Sequence, residues 1–135
     1  MLISDLPKLK ARIDLDLKIN DDNVASKSLN SAYIYHQYLD LWLSELRELK
    51  TLGLERDRIY GVLYEKYKFN HSHQLDSRNE IEAWLFADPQ YIKVATEYID
   101  KETVVKYLEN VTEAISKLSF SIKNYIEYRK FLSGG

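Results

Sequence analysis

Apolar residues recur at spacings of three and four along most of this chain, most regularly near its end. Val104, Leu108, Val111, Ile115, Leu118, Ile122 and Tyr125 follow one another at steps of 4, 3, 4, 3, 4 and 3. This is a heptad seam kept over three heptads, and it predicts a helix with one continuous apolar stripe. Asp88-Pro89 supplies a cap residue and a proline at the first helical position, and no further Gly or Pro occurs before Gly134. The final helix is therefore expected over 89–132. Ile92, Ala95 and Ile99 lie in a different phase, which puts a stutter or break at Asp100-Lys101-Glu102-Thr103. Glu97–Lys101, Glu102–Lys106 and Glu113–Lys117 add i, i+4 support. The 88 residues upstream are too few to cover the whole stripe, so part of it is expected to meet copies of the chain. The other reading is an ordinary bundle helix packed within one chain.

Upstream, residues 4–12 read as a short helix with Ser4 or Asp5 as cap and Pro7 in the first turn. Ile13, Leu15, Leu17 and Ile19 alternate with Asp14, Asp16 and Lys18, a period of two that predicts a short extended segment. Asn20-Asp21-Asp22 is a turn and cap cluster, and a long helix follows to about Lys50. Its apolar side carries Tyr35, Leu39, Trp42, Leu43, Leu46 and Leu49. Gly53 predicts a joint or kink before a second helix over 54–69, packed through Ile59, Val62, Leu63, Tyr67 and Phe69. Asn70 to Gln74 reads as a loop. Ser77 stands three residues before Glu80, the capping-box spacing, and opens a short helix over 78–87. The fold class is thus mainly α: a helical domain with a short extended N-terminal segment and a long C-terminal oligomerisation helix. Residues 1–76 form an N-terminal helical region and 77–135 a C-terminal one, within one folding unit.

Composition narrows the chemistry. With 4 Gly and 2 Pro in 135 residues, there is no glycine-rich phosphate loop. The absence of Cys excludes disulfides, thiolate metal sites and a Cys nucleophile, and fits a reducing cytoplasm. No signal peptide and no run of membrane-spanning length is visible. His71 and His73, with Asp76 nearby, read as solvated loop residues rather than metal ligands. His36, beside Tyr35 and Leu39, reads as a core or interface histidine. No carboxylate pair stands out as an acid–base couple, so neither catalysis, a metal nor a cofactor is expected.

Charge and aromatic content point elsewhere. Four of the 19 cations but only one of the 21 acids fall within residues 114–135, so a slightly acidic body ends in a basic tail. Eleven Tyr is a high count for this length, and Tyr is common on interfaces and stacking surfaces. Two stretches mix cations with rings, the composition that grips single-stranded nucleic acid through phosphates and bases. The first holds Arg56, Arg58, Lys66 and Lys68 among Tyr60, Tyr64, Tyr67 and Phe69. The second holds Lys117, Lys123, Arg129 and Lys130 beside Tyr125, Tyr128 and Phe131. A solvated helix face is the plainer reading of each alone, although repetition in an oligomer would multiply a small patch.

The chain resembles the UvsY family, the recombination mediators of large tailed phages. The resemblance is densest where Phe120-Ser121-Ile122-Lys123 leads to Glu127-Tyr128-Arg129-Lys130-Phe131 and Gly134. It extends back through Ala87-Asp88 and Ile92-Lys93-Val94, and more loosely to Tyr35–Leu39 and Leu63–Tyr67. It implies a protein of DNA recombination and repair that binds single-stranded DNA and hydrolyses no nucleotide. It implies a homo-oligomeric ring of roughly six or seven subunits built through C-terminal helices. The implied partners are a RecA-like recombinase and a single-strand-binding protein, with no membrane involved, in the cytoplasm of a host cell. Some members place DNA-contacting basic residues where this chain has Gly61 and Leu63; Lys66 and Lys68, or Arg56 and Arg58, are the nearest replacements. The alternative is a self-assembling helical adaptor without DNA binding.

Overall fold

The computed structural model describes residues 1–69, 75 and 77–134, and every regular element among them is helical. A 3-10 turn, Ile3–Asp5, leads into α1 (Leu6–Leu17), followed by α2 (Val24–Phe69), α3 (Arg78–Ala87), α4 (Pro89–Ser116) and α5 (Leu118–Leu132). The helices make two compact units. One combines Met1–Glu45 with Val104–Gly135, and the other is Leu46–Thr103. Both α2 and α4 contribute to each: the two ends of the chain share one unit and the middle forms the other. No described helix is long and apolar enough to cross a membrane.

The mainly α class holds, with corrections inside it. Residues 13–17 are not extended but form the last turns of α1. The reason is a competing pattern, Leu6, Leu9, Ile13 and Asp16 at steps of 3, 4 and 3. Leu9 and Ile13 are buried, whereas Leu15 of the alternating set is 70% exposed. Helical packing thus wins over a strand that has nothing to pair with. The turn after α1 is tied by its own side chains: Asn20 Oδ1 accepts from the Asp22 and Asn23 amides, and Asn23 Oδ1 accepts from the Asn20 amide. Lys27 then donates to the carbonyls of Leu15, Asp16 and Lys18, placing a cation on the C-terminal carbonyls of α1.

α2 runs unbroken for 46 residues, through both Gly53 and Gly61. The joint expected at Gly53 is therefore absent, and the Tyr98 ring packs beside that glycine at a distance where an added Cβ would make an ordinary contact. The helix over 78–87 is as expected, with the Ser77 hydroxyl accepting from the Glu80 amide at 3.2 Å. The final helix is continuous through 100–103 and breaks at Lys117 instead. There the backbone tightens, the Lys117 amide donating to Ala114 O, while the Ser116 hydroxyl bonds the Glu113 carbonyl. Serine back-bonding of this kind bends helices.

The first unit's core joins Leu9 and Ile13 of α1, Tyr38 of α2, and Val104, Leu108, Val111 and Ile115 of α4. Leu118 and Ile122 of α5 are also buried. Six of the seven seam residues expected to assemble copies are thus covered inside a single chain, and Tyr125 is half-buried. Within one chain, α1 and α2 lie against this stripe, as in the bundle reading. Tyr38, fully buried, donates its hydroxyl to Asp16 Oδ2 at 2.6 Å. Burial first, and then that bond, push the Tyr38 hydroxyl far above its ordinary range, so it stays a donor. Buried Glu45 is met by the Met1 ammonium at 2.9 Å. Among the described residues, Trp42 Nε1 is buried without a hydrogen-bond partner. His36, expected in a core or interface, is exposed, with its ring edge-on to Tyr35. In the second unit, Ile59 and Leu63 of α2 pack with Leu85 of α3 and Val94 of α4.

Two outcomes follow for stability, read by urea unfolding. Tyr38→Phe leaves the Asp16 carboxylate without its charge-assisted donor and is expected to cost about 1.5–3 kcal/mol. Gly61→Ala, where an added methyl meets nothing within 4 Å, is expected to gain about 0.5–1 kcal/mol through helix propensity.

Candidate nucleic-acid interface

In the second unit the end of α2 faces α3, and the contact is organised by Asp88. This residue caps α4: its Oδ1 accepts the Gln90 amide at 2.8 Å and its carbonyl accepts from Ile92. Its other oxygen accepts the Tyr67 hydroxyl at 2.6 Å, and Lys66 Nζ stands 3.7 Å away. These partners, Tyr67 foremost and then the Gln90 amide and Lys66, hold the Asp88 carboxyl below its usual range. The Tyr67 hydroxyl is correspondingly raised by Asp88. With its hydroxyl pinned, the Tyr67 ring stacks against Trp84 at 6.4 Å between centroids and 30° between planes.

A second run of rings crosses from α2 over α3 to the first turn of α4. Tyr64, Tyr60, Phe86 and Tyr91 are linked in that order by centroid distances of 5.9, 6.3 and 5.2 Å. Tyr60 donates to Glu82 at 2.7 Å, and Arg78 donates to the same carboxylate oxygen. The Glu82 carboxyl is lowered by those two donors in that order.

The four cations expected here behave differently. Lys66 and Lys68 lie 5.2 Å from the rings of Tyr67 and Phe69 respectively. Phe69 is largely exposed, and no described carboxylate lies within ion-pair distance of Lys68. Arg56 stacks over Tyr98 at 4.2 Å. Arg58 is held in a two-pronged pair by Glu55, at 2.9 and 2.7 Å, so its charge is compensated locally. The structure thus groups Lys66 and Lys68 with rings, and leaves Arg56 and Arg58 engaged along their own helix or with Tyr98.

In the first unit, the basic end of α5 also splits. Arg129 Nε is 3.2 Å from Asp21, which also accepts the Tyr125 hydroxyl. Lys117 lies 3.9 Å from Glu113. Lys123 and Lys130, without a described carboxylate at ion-pair distance, line one shallow groove of about 310 Å³ with Ser28, Ser119, Ile126 and Glu127. α5 is two-faced. Leu118 and Ile122 point inward, whereas Phe120, Tyr128 and Phe131, 69%, 59% and 78% exposed, lie along the opposite face.

His71, His73 and Asp76 lie outside the described residues. Trp84, Phe86 and Asp88 were not singled out from the sequence as parts of a site. Trp84 sits one position before Leu85 and three after Ile81, the two buried residues of α3. A tryptophan placed just off a short helix's buried stripe was the available signal.

Taken together, these features define a class: an all-helical protein whose surface sets cations beside half-exposed rings, suited to a flexible polyanion with aromatic bases. Comparison with known proteins agrees. Residues 12–135 match the family described as "Recombination, repair and ssDNA binding protein UvsY". The chain belongs to the UvsY family. Among solved structures, two crystal forms of the bacteriophage T4 recombination mediator protein UvsY share its fold. The first, lattice type IV, has a TM-score of 0.82 at 19% identity, covering 97% of this chain and 98% of that one. The second, lattice type II, gives 0.81 at 18% identity, covering 95% and 97%. A sequence search of curated proteins finds no match.

The lowered Asp88 carboxyl sets a pH dependence. A depressed acid contributes stability that is complete above its unfolded value of about 4 and is lost as pH falls through its folded value. Thermal melts of the wild type between pH 6 and 3 are therefore expected to fall more steeply than those of Asp88→Asn. At pH 7 that variant is expected to start about 1 kcal/mol less stable, because a neutral amide replaces the charged acceptor of Tyr67 while Asn still serves as the cap.

Proposed function

We propose that this chain is a phage recombination mediator. It binds single-stranded DNA without sequence preference, assembles with copies of itself into a ring, and helps a RecA-like recombinase load onto DNA coated by a single-strand-binding protein. It acts in the host cytoplasm, without a catalytic step of its own. Family membership supports the recombination setting. The observation that carries DNA binding is the pairing of Lys66 with Tyr67 and Lys68 with Phe69 at the end of α2. Phosphates meet the ammonium groups and bases meet the rings. Lys123 and Lys130 provide a second cationic stretch on each subunit, which a ring would repeat.

Self-association is assigned to the outward face of α5. The apolar seam is already used within the chain, so copies meet instead through Phe120, Tyr128 and Phe131, a row of large exposed rings that water solvates poorly. The same face would serve an adaptor that assembles but binds no DNA, and only a binding measurement separates the two.

Anisotropy of a labelled poly-dT oligonucleotide is expected to report tight binding at low salt that weakens steeply as salt rises, with Lys66→Ala and Lys68→Ala each reducing the salt slope by about one. Salt-independent affinity would contradict the phosphate contacts, and no binding by an intact oligomer would favour the adaptor. In sedimentation, Phe120→Asp with Phe131→Asp is expected to give smaller species with unchanged helical circular dichroism. An oligomer of unchanged size would remove α5's outer face from the interface.

A further inference from the structure

We propose that the solvent face of α2 in the second unit pairs with the same face of a second copy, antiparallel, about a two-fold axis between Gly61 and Val62. This contact is separate from the outward face of α5 and gives the chain a second surface for its own copies.

The face is open and carries large apolar groups. Leu54, Val62 and Phe69 are 72%, 48% and 71% exposed and share one side of the helix. Ile59 and Leu63, which pack in the core, lie on the opposite side. Gly61 is also exposed, and an added Cβ there would meet nothing within 4 Å. Glycine weakens a helix interior, and no contact within the chain requires one at this place. A helix arriving from outside would, because two backbones come closest where a side chain is missing.

Charge identifies the occupant. In an antiparallel pair about this axis, residues equally far on either side of it come to the same height. Arg58 then faces Glu65 of the partner subunit, and by symmetry this pair occurs twice near the middle. Leu54 lies beside Phe69 of the partner subunit, and Asp57 meets the partner's Lys68 on one flank. Gly61 meets the partner's Gly61, and Val62 meets the partner's Val62. Glu65 and Lys68 have no described opposite charge at ion-pair distance within the chain. Arg58 is held by Glu55 through Nε and Nη2, which leaves Nη1 for a second carboxylate. A parallel pair would set Arg58 on Arg58 and Glu65 on Glu65, so like charges select the antiparallel one. Asp57 and Glu65, both exposed on this face, also oppose a polyanion there.

The chain has no Cys, so single cysteines report contacts without background. Under mild oxidation, full-length Val62→Cys is expected to form a disulfide dimer about tenfold faster than Leu29→Cys, an 86% exposed site on the same helix. Adding Gly61→Leu to Val62→Cys is expected to remove that excess with helical circular dichroism unchanged, since the new side chain has open space within its own chain. Arg58→Glu and Glu65→Arg are each expected to slow the crosslink, and the two together to restore it. Equal rates for the two cysteines, an unchanged rate in Gly61→Leu, or a double reversal no faster than either single one would overturn the pairing.

Lys68 and Phe69 also belong to the surface assigned to DNA. On the single-strand-binding reading, saturating oligo-dT is therefore expected to slow the Val62→Cys crosslink. An unchanged rate with oligo-dT bound would leave the pair standing and remove those two residues from the DNA contact. If oligo-dT does not bind at all, the single-strand-binding reading fails, while the pairing, measured without DNA, is unaffected.

Discussion

Four tyrosine hydroxyls, each donating to a carboxylate on another segment, pin this structure together. Tyr38 reaches Asp16 from α2 to α1, Tyr60 reaches Glu82 from α2 to α3, and Tyr67 reaches Asp88 at the start of α4. Tyr125 reaches Asp21, from α5 to the turn before α2. Each bond joins a neutral donor to an ionised acceptor, the stronger kind of protein hydrogen bond. Each tyrosine is raised above its ordinary range, by burial first and then the bond at Tyr38 and by the bond first at the other three. An aromatic body that packs while its tip bonds a charge fixes both the distance and the rotation of a helix. Apolar contact alone fixes rotation loosely, because hydrophobic packing is non-directional.

These pins explain how one chain presents two kinds of surface. In the first unit, the buried stripe from Val104 to Ile122, set against α1 and Tyr38, turns the rings of Phe120, Tyr128 and Phe131 outward. In the second, the Tyr67–Asp88 bond holds a ring beside Lys66 and beneath Trp84. The same residue type thus closes the core in one place and organises a candidate binding face in the other. Lys68, Lys123 and Lys130 have no described carboxylate at ion-pair distance, and the Asp88 near Lys66 is already bonded to Tyr67, whereas Arg58 and Arg129 are each held by an acid of their own.

Helical class, the capped start at Ser77 and the role of Asp88-Pro89 were legible because they are local: each depends on a few residues and a backbone hydrogen bond. The failures were tertiary. Ile13, Leu15 and Leu17 alternate in sequence, but only the buried contact with α2 and α4 decides that the helical stripe through Ile13 prevails. The heptad seam looked like an assembly surface because spacing shows that a stripe must be covered, never by what. The surplus of tyrosines suggested an interface or stacking surface. Several of them act inside the fold, and no pattern in the chain pairs Tyr38 with Asp16, 22 residues away. Gly53 and Gly61 suggested interruption, yet tertiary packing carries α2 through both.

The most direct test of the central claim, that single-stranded DNA runs over the end of α2 and past α3, is photocrosslinking. The protein would be bound at low salt to an oligonucleotide carrying 4-thiothymidine, irradiated, digested and mapped by mass spectrometry. The account predicts adducts on peptides containing Tyr67, Phe69 and Trp84. Adducts confined to residues 118–132, with none between 56 and 86, would contradict it and move the DNA to the basic end of α5.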